Sequence, residues 1–315
     1  MYSRENYQKI KNEIERRRLS AVAEADRRNL EVRALSEDVR LIDAELTKTG
    51  LAIFKAACDG ADITPIKEKN ELLMKSRKEA LSKLSLPEDY TEPHYTCPIC
   101  SDSGFVGERM CKCFKEMLIT ENIKSSGIGR LIEKQSFENF DLSYYDPTSD
   151  AYARMEKNYT LAKDFADNFG SEDGTTMLFF GKTGTGKTHL STAIAKRVIE
   201  RGFDVLYDSA QNIFTSFEND RFKSGYGPYE PEATKFLECD LLIVDDLGTE
   251  FANQFTVSCL YNLINTRQNK GLSTIISTNL SYDELSKKYE DRIFSRLVGT
   301  DSRVLLFVGS DKRLG

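Results

Sequence analysis

This chain of 315 residues is long enough for two domains, one of them large. No apolar run reaches the roughly 18 residues that span a bilayer, and the first residues lack the apolar stretch of a secretory signal, so we expect a soluble, cytoplasmic protein without membrane contact. The net charge of −6 excludes binding of nucleic acid through overall charge, and any such contact needs a local basic groove.

The first 86 or so residues are highly charged and predict helices. An apolar seam recurs at spacings of three and four: Val32, Leu35, Val39, Ile42 and Leu46. After a break at Asp59-Gly60, Thr64 is predicted as an N-cap with Pro65 at the first helical position. Before Pro87, a second buried stripe is formed by Leu73, Ala80, Leu81 and Leu84. The predicted helical hairpin either packs only on itself or also binds a partner through its seam, and the two interpretations are compatible.

Four of the seven cysteines crowd into one short segment as two close pairs: Cys97, Cys100, Cys111 and Cys113. Zn²⁺ takes four soft ligands in a tetrahedron, and two short-range pairs can meet it from opposite sides, so the spacing predicts a structural zinc site. His94 is the one alternative ligand. Free thiols and an iron–sulfur cluster are the other interpretations of this segment.

A loop-rich stretch follows, and then short apolar strands alternate with helical segments to the end of the chain. The predicted strands are Met177–Phe180, Val205–Tyr207, Leu241–Val244, Thr274–Ser277 and Val304–Val308. This alternation indicates a mostly parallel α/β sheet. We therefore predict a helical and zinc-binding domain over residues 1–120, a linker over 121–150 and an α/β domain over 151–315.

Residues 181–188 read Gly-Lys-Thr-Gly-Thr-Gly-Lys-Thr and match the phosphate-binding pattern G-x-x-x-x-G-K-[ST] in full, between a predicted strand and a predicted helix. Glycines let the backbone wrap the phosphates, and the helix N-terminus adds positive potential. Lys187 is expected to reach the β- and γ-phosphates of ATP, and the Thr188 hydroxyl to bind Mg²⁺. The expected nucleotide contacts are Gly181, Thr183, Gly184, Thr185, Gly186, Lys187, Thr188 and His189.

Two further strand ends carry polar residues suited to this site. Asp245 and Asp246 follow four apolar residues. We expect Asp245 to hold Mg²⁺ through a water molecule and Asp246 to polarise the attacking water. Many such enzymes have Glu at the second position, which leaves the strength of Asp246 as a base open. Asn279 ends the strand Ile275–Thr278 and is a candidate for the γ-phosphate or the water; ordinary turn chemistry is the alternative.

These elements resemble the AAA+ ATPases over roughly residues 150–315. The stretch Asp291–Leu297 is similar to the box-seven helix of replication initiators and helicase loaders. The resemblance implies that Arg296 is an arginine finger for the neighbouring subunit's ATP site and that Arg292 supports it, so that the chain self-associates through its ATPase domain. The alternative is an amphipathic helix with solvated arginines.

The chain shows little sequence after Val308, so we expect an AAA+ core without a full helical lid. With its cysteine-rich N-terminal region, it is similar to the DnaC/DnaI helicase loaders and the related IstB transposition ATPases. Residues 309–313 resemble the terminal motif of that group, in which Arg313 approaches nucleotide, and Phe137–Phe140 resembles a segment that packs near the adenine.

Basic and aromatic residues interleave over residues 209–214 and 221–226, a pattern that single-strand binding grooves use for phosphate and stacking contacts. An ordinary exposed loop and helix is the competing interpretation. In the resembled loaders this region faces the pore of the assembly, which implies single-stranded DNA as a ligand.

The resemblance implies a DNA replication function: ATP-dependent loading of the hexameric replicative helicase onto single-stranded DNA, with Mg²⁺-dependent ATP hydrolysis and a zinc-braced N-terminal region that docks the helicase. Two alternatives remain: an IstB-like ATPase that assists a transposase, and a nucleotide-binding switch without turnover. The cysteine pairs and the long helical N-terminus favour the loader.

Overall fold

The computed structural model describes residues 3–171, 174–223, 231–250, 253–299 and 302–309. Its helices are α1 (Arg4–Leu35), α2 (Glu37–Cys58), α3 (Thr64–Lys83), α4 (Lys112–Ser125), α5 (Leu131–Lys134), α6 (Asp150–Asp167), α7 (Lys187–Glu200), α8 (Ala210–Lys223), α9 (Thr234–Glu238), α10 (Gln254–Asn269), α11 (Tyr282–Lys288) and α12 (Asp291–Val298). Its strands are β1 (Phe105–Val106), β2 (Arg109–Met110), β3 (Thr176–Gly181), β4 (Val205–Ser209), β5 (Leu241–Leu247), β6 (Ser273–Thr278) and β7 (Ser302–Phe307). The chain divides into two compact units, residues 9–114 and residues 1–8 with 115–315.

In the unit formed by residues 9–114, a small apolar core holds the predicted hairpin together: Val32, Val39, Ala80 and Leu81. The seam is interrupted at Ser36, whose side chain accepts a hydrogen bond from Val39 N at 3.3 Å and starts α2 as an N-cap. Leu35 therefore does not join the core. It is 74% exposed, so this part of the predicted apolar seam faces away from the core of the hairpin.

A buried carboxylate in this unit forms hydrogen bonds that link three helices. Asp43 of α2 accepts hydrogen bonds from Arg33 Nε of α1 at 2.7 Å and from Arg77 Nε of α3 at 2.6 Å. At the start of α3 the N-cap is Ile63, not Thr64 as predicted. Thr64 is the first helical residue, and its N–H donates to the Asp62 carboxylate at 2.9 Å.

The other unit contains a five-stranded sheet of order β4-β5-β6-β3-β7 in which every neighbouring pair is parallel. Side chains alternate across it. Leu178 packs into the core on one face, while Met177 and Phe179 pack into the core on the other. Helices α6 and α7 cover the face of Met177, and α8, α10 and α12 cover the face of Leu178.

This architecture confirms the predicted α/β class, with a parallel P-loop sheet preceded by helices. Residues 126–149 also belong to the core of the sheet unit, because Ile128, Ile132, Phe137 and Tyr145 pack with α7 on the face of Met177. Among the described residues, no helix has both the length and the apolar character that crossing a bilayer requires.

Candidate functional site

The phosphate-binding pattern lies between the end of β3 and the start of α7, as the sequence predicts. The loop is closed by its own side chains: Lys187 Nζ donates to the carbonyl oxygens of Gly181 at 2.7 Å and Lys182 at 2.9 Å, and Thr185 Oγ1 donates to Lys182 O at 2.7 Å. Gly186 has a φ of +95°, a left-handed conformation that favours glycine, and precedes the first helical residue. The N-terminus of α7 therefore lies at the loop, and a helix N-terminus suits an anion.

The order of the strands brings the predicted polar residues together. Strand β6 forms hydrogen bonds with both β3 and β5, so its carboxyl end lies between the phosphate loop and the two acids. Asn279 follows β6 at that position. The phosphate loop, the two acids and Asn279 were each predicted from the sequence. The order of their strands was not, and this order places Asn279 between the loop and the acids.

Asp245 is buried, 8% exposed, and accepts hydrogen bonds from three hydroxyl groups. Thr188 Oγ1 donates to its Oδ2 atom at 3.4 Å, Tyr207 Oη donates to Oδ2, and Ser277 Oγ donates to Oδ1. Burial, reinforced by the neighbouring Asp245 carboxylate, raises the pKa of Tyr207 far above its usual value, so the phenol stays protonated and donates.

Sequence reasoning missed Tyr207 and Ser277 as partners of Asp245. Ser277 could have been predicted from the sequence, because it belongs to the polar end of β6. Tyr207 could not have been predicted, because only the pairing of β4 with β5 brings it beside Asp245.

Asp246 has a φ of +54°, in the left-handed region that few residues other than glycine, asparagine and aspartate adopt. The register of β5 on β6 shifts between Val244 and Leu247, and Asp246 N donates to Ser277 Oγ at 3.0 Å. In a regular strand consecutive side chains point to opposite faces. Because of this irregularity, both consecutive acids reach the same site. Asp246 lines the cavity, and Asp245 contacts Thr188, which also lines it.

A cavity of about 390 Å³ lies over the phosphate loop, within the size range of small-molecule sites. Of the predicted site residues, it is lined by Thr183, Gly184, Thr185, Gly186, Lys187, Thr188, His189, Asp246 and Asn279. Of the other residues that line it, only Asn139 and Phe140 belong to a segment that the sequence singled out. These lining residues are Gln135, Asn139, Phe140, Asp141, Tyr144, Tyr145 and Thr249. The cavity thus has one end formed by the loop and another formed by aromatic and amide side chains.

The aromatic wall is fastened to the phosphate loop and to α7. Tyr145 Oη donates to Thr185 O at 3.3 Å, and the Phe140 ring meets the His189 ring edge-on at 5.1 Å. His189 Nε2 lies 3.0 Å from Ser136 O and from Asn139 Oδ1, both acceptors, so Nε2 carries the proton. Burial lowers the pKa of His189, which keeps the ring neutral. Of the predicted adenine-side segment, Phe140 lines the cavity while Phe137 is core.

The two predicted arginines lie on α12, away from the residues that line the cavity. Both guanidinium groups stack on the ring of Tyr261 of α10, Arg292 at 4.7 Å and Arg296 at 4.8 Å from its centroid. Arg296 also donates to Asn265 Oδ1 at 3.0 Å and to Arg292 O at 2.9 Å. The arginines are therefore held on the surface of α10.

Most of the described part of the stretch predicted to contact single-stranded DNA lies in the helix α8. Phe214 is 3% exposed and packs in the sheet core, so its prediction as a base-stacking residue is wrong. Arg221 lies over the ring of Phe255 at 5.6 Å, and Phe222 is 73% exposed. Residues 224–226 and the predicted Arg313 lie outside the described residues.

The four paired cysteines converge on one point in the unit of residues 9–114. All four Sγ atoms lie within 4.8 Å of one another, with Cys97 and Cys111 at 3.9 Å and Cys100 and Cys113 at 3.6 Å. Tetrahedral zinc–thiolate bonds of about 2.3 Å separate the sulfurs by about 3.8 Å. The donor set and its spacing therefore fit a Zn²⁺ ion.

The local backbone explains why the cysteines converge. The buried Asp102 has a φ of +50°, and its carboxylate accepts the N–H groups of Thr96 at 2.8 Å and Cys97 at 2.9 Å. Strands β1 and β2 form a short antiparallel ribbon that leads to Cys111. His94, the alternative ligand, lies outside the cysteine cluster and contacts Arg28 and Asp89 instead.

Comparison with known families decides the classification. The family model described as IstB-like ATP-binding protein matches residues 126–299, more than half of the chain. The chain belongs to this family. The match runs from the segment that forms the aromatic wall to the end of α12, so it includes the phosphate loop, both acids, Asn279 and the two arginines.

Several proteins that are similar to this IstB-like chain are named as replication proteins. It is 25% identical to the Replicative helicase loader DnaC of Escherichia coli K12 over 58% of this chain and 71% of that protein. Among solved structures, it is similar to the DnaC helicase loader (23% identity, TM-score 0.46, 55% of this chain and 98% of that chain). It is also similar to a DNA replication initiation factor (23% identity, TM-score 0.46, 56% of this chain), of whose length it spans half, 50%.

Proposed function

We propose that this protein is an ATP-dependent loader of the hexameric replicative helicase onto single-stranded DNA, acting in the cytoplasm. The observation that carries the proposal is the similarity to the Replicative helicase loader DnaC, which spans 71% of that protein. The nucleotide site supports it, because the phosphate loop, Asp246 and Asn279 line one cavity and Asp245 contacts Thr188 of that loop, an arrangement that suits phosphoryl transfer.

The chain's own residues divide the work of hydrolysis. Lys187 exchanges its contacts with the carbonyl oxygens of Gly181 and Lys182 for the β- and γ-phosphates, which offer a charge-assisted bond in their place. Asp246 and Asn279 line the same cavity and orient the attacking water, with Asp246 accepting its proton.

The residues present also fit Mg²⁺, which prefers oxygen ligands and keeps several waters. The Thr188 hydroxyl and the Asp245 carboxylate would hold the ion, and their oxygen atoms lie 3.4 Å apart. Bound there, Mg²⁺ would neutralise charge on the phosphate oxygens. Tyr207 and Ser277 orient the Asp245 carboxylate for this role, since each occupies one of its oxygens.

Arg296 serves a neighbouring subunit, with Arg292 in support. Neither arginine lines the cavity of its own chain, and both are held on Tyr261 at the surface of α10. An arginine supplied in trans stabilises the charge of the transition state and makes turnover depend on assembly. Self-association through residues 151–315 would complete the site.

The N-terminal residues 1–120 form the helicase-docking part, and residues 121–150 lead from it into the ATPase core, into which Ile128, Ile132 and Phe137 pack. The four-cysteine cluster would hold Zn²⁺ and brace a surface that carries exposed apolar residues such as Ile99 and Val106. Single-stranded DNA would be contacted by α8 and the residues after it, where Phe222 is available for stacking.

Affinity purification of the tagged full chain from its source cell tests this function. Co-purification of the replicative helicase is expected from the wild-type chain, with and without ATP. Recovery of a transposase in its place would support the alternative role that the family description suggests. Helicase binding without ATP turnover under any condition would support the other alternative, a nucleotide-binding switch that does not hydrolyse ATP.

A further inference from the structure

A buried carboxylate that the proposed reaction does not use lies just after β5. Glu250 is 4% exposed, and a buried charge is costly unless it is paired and hydrogen-bonded. Three groups satisfy it. Gly248 N donates to Oε2 at 2.8 Å, Tyr289 Oη donates to Oε1, and Lys288 Nζ lies 3.6 Å from Oε1.

The same cluster holds the loop that continues from the acids of β5. Lys288 Nζ donates to the carbonyl oxygens of Gly248 at 2.5 Å and Glu250 at 3.0 Å. Between them, Thr249 lines the nucleotide cavity, and its Oγ1 atom donates to Asp246 O at 2.9 Å. One side of the cluster is therefore the wall of the nucleotide cavity itself.

The other side of the cluster is the joint between two helices. Lys288 ends α11, Tyr289 follows it, and Glu290 is the N-cap of α12. Tyr289 is 1% exposed, so its ring is fixed in the core while its hydroxyl reaches Glu250. Helix α12 carries Arg292 and Arg296 within its eight residues. The loop at Gly248–Glu250 is thus bonded to the two residues that precede the N-cap of the arginine helix.

We infer that Glu250, with Tyr289 and Lys288, couples the nucleotide cavity of one chain to the arginines that the same chain presents to its neighbour. These three are positioning residues, since they act through Thr249 on one side and α12 on the other. Nucleotide that contacts Thr249 moves or steadies the loop, and the buried bonds carry that change to α12. The inference rests on the assembly proposed above, but its test needs only nucleotide binding.

Hydrogen exchange measured by mass spectrometry on the full chain reads this coupling directly. The protein is kept monomeric, as checked by mass photometry, and a non-hydrolysable ATP analogue is added with Mg²⁺. In the wild-type chain the analogue is expected to slow exchange in peptides covering residues 289–298 by about twofold or more. Tyr289→Phe, which removes one hydroxyl and keeps the ring, is expected to abolish most of that change, with analogue affinity within about threefold of wild type.

Two variants control the measurement. Tyr159→Phe removes a hydroxyl that donates to Phe137 O at 3.2 Å on the other face of the sheet, and is expected to keep the full response. Glu250→Gln keeps an acceptor for Gly248 N but loses the charge beside Lys288, and is expected to behave as Tyr289→Phe does.

An α12 response that survives in both cluster variants would overturn the inference, as would a wild-type chain that binds the analogue without any response. A parallel loss of affinity and response would also overturn it, because the cluster would then belong to the nucleotide site alone. The helicase-loading function fails separately, through absence of helicase from the wild-type purification.

Discussion

Lys187 donates a hydrogen bond from Nζ to the carbonyl oxygen of Gly181 at 2.7 Å, so the first residue of α7 reaches back to the last residue of β3. The ammonium group is thereby held inside the phosphate loop, at 6% residue exposure. An ammonium group that is ordered within the loop before nucleotide binds loses less conformational entropy when it exchanges these contacts for the phosphates.

Lys187→Ala is expected to weaken ATP binding by about 100-fold, or about 2.7 kcal/mol, which is the scale of a lost charge-assisted contact. Asp246→Asn is expected to leave affinity within a few-fold and to lower kcat by about 100-fold or more, since the acid acts when water attacks. Fluorescent-nucleotide titration and steady-state turnover separate the two effects.

Asp141→Asn is the matched control for Asp246→Asn. Asp141 also lines the cavity, but its carboxylate accepts the Ser143 N–H at 2.8 Å, a bond that an asparagine oxygen can keep. Equal losses of affinity in the Lys187 and Asp246 variants would contradict the assigned roles.

Arg296→Ala is expected to preserve ATP affinity and to remove assembly-stimulated hydrolysis, by a factor of about 1,000 or more. Mixing this variant with Lys187→Ala chains is expected to restore part of the turnover, because some sites then pair an intact loop with an intact arginine. Arg201→Ala, a cation that stacks on Phe203 at 5.9 Å, serves as the control. No recovery in assemblies of confirmed size would mean that Arg296 does not act in trans.

Purified protein is expected to contain one zinc per chain, measured by elemental analysis. Cys97→Ser is expected to lose the metal and to unfold the segment around residues 97–113 while ATP binding persists, because binding of such a metal is coupled to folding of its own site. Cys58→Ser changes an exposed cysteine outside the cluster and is expected to keep the zinc. A metal-free wild-type protein would refute the site.

Asp204 gives the fold a pH dependence of its own. Burial, together with the nearby Asp240 carboxylate, raises the pKa of Asp204 to about 6. An unfolded aspartate titrates near pH 3.9, so the folded chain binds the proton more tightly and loses stability from this group as pH rises from about 4 to about 6. Above about pH 6 the destabilisation that results from burying the ionised Asp204 carboxylate is complete.

Asp204→Asn removes that destabilisation. Its free energy of unfolding is expected to exceed that of the wild type by about 1 to 3 kcal/mol at pH 7.5, and by much less at pH 4.5. Urea unfolding of both proteins at the two pH values measures the difference. A difference that does not change with pH would contradict the raised pKa.

Local sequence was sufficient for the elements that depend on short patterns. The phosphate loop, the apolar strand before Asp245 and the paired cysteines are each readable from consecutive residues, because backbone wrapping, strand burial and metal ligation need particular residue types at short spacing. The positions of those elements in the fold agree with the sequence.

The interactions that depend on strand order were not readable. Tyr207 reaches Asp245 only because β4 pairs with β5, and Asn279 lies centrally only because β6 separates β3 from β5. Glu250 was passed over because its partners, Lys288 and Tyr289, are almost forty residues away. The burial of Phe214 and the exposure of Leu35 were not readable for the same reason, because the burial of an aromatic or apolar residue depends on how the whole chain packs.

ATP-dependent loading of the replicative helicase onto single-stranded DNA can be measured directly. The cognate replicative helicase is mixed with closed circular single-stranded DNA coated with single-strand binding protein, and helicase retained on the circles is counted with ATP present. The account predicts that the wild-type chain raises retention at least several-fold and that Lys187→Ala does not. Equal retention with wild-type chain, variant or no added chain would contradict it.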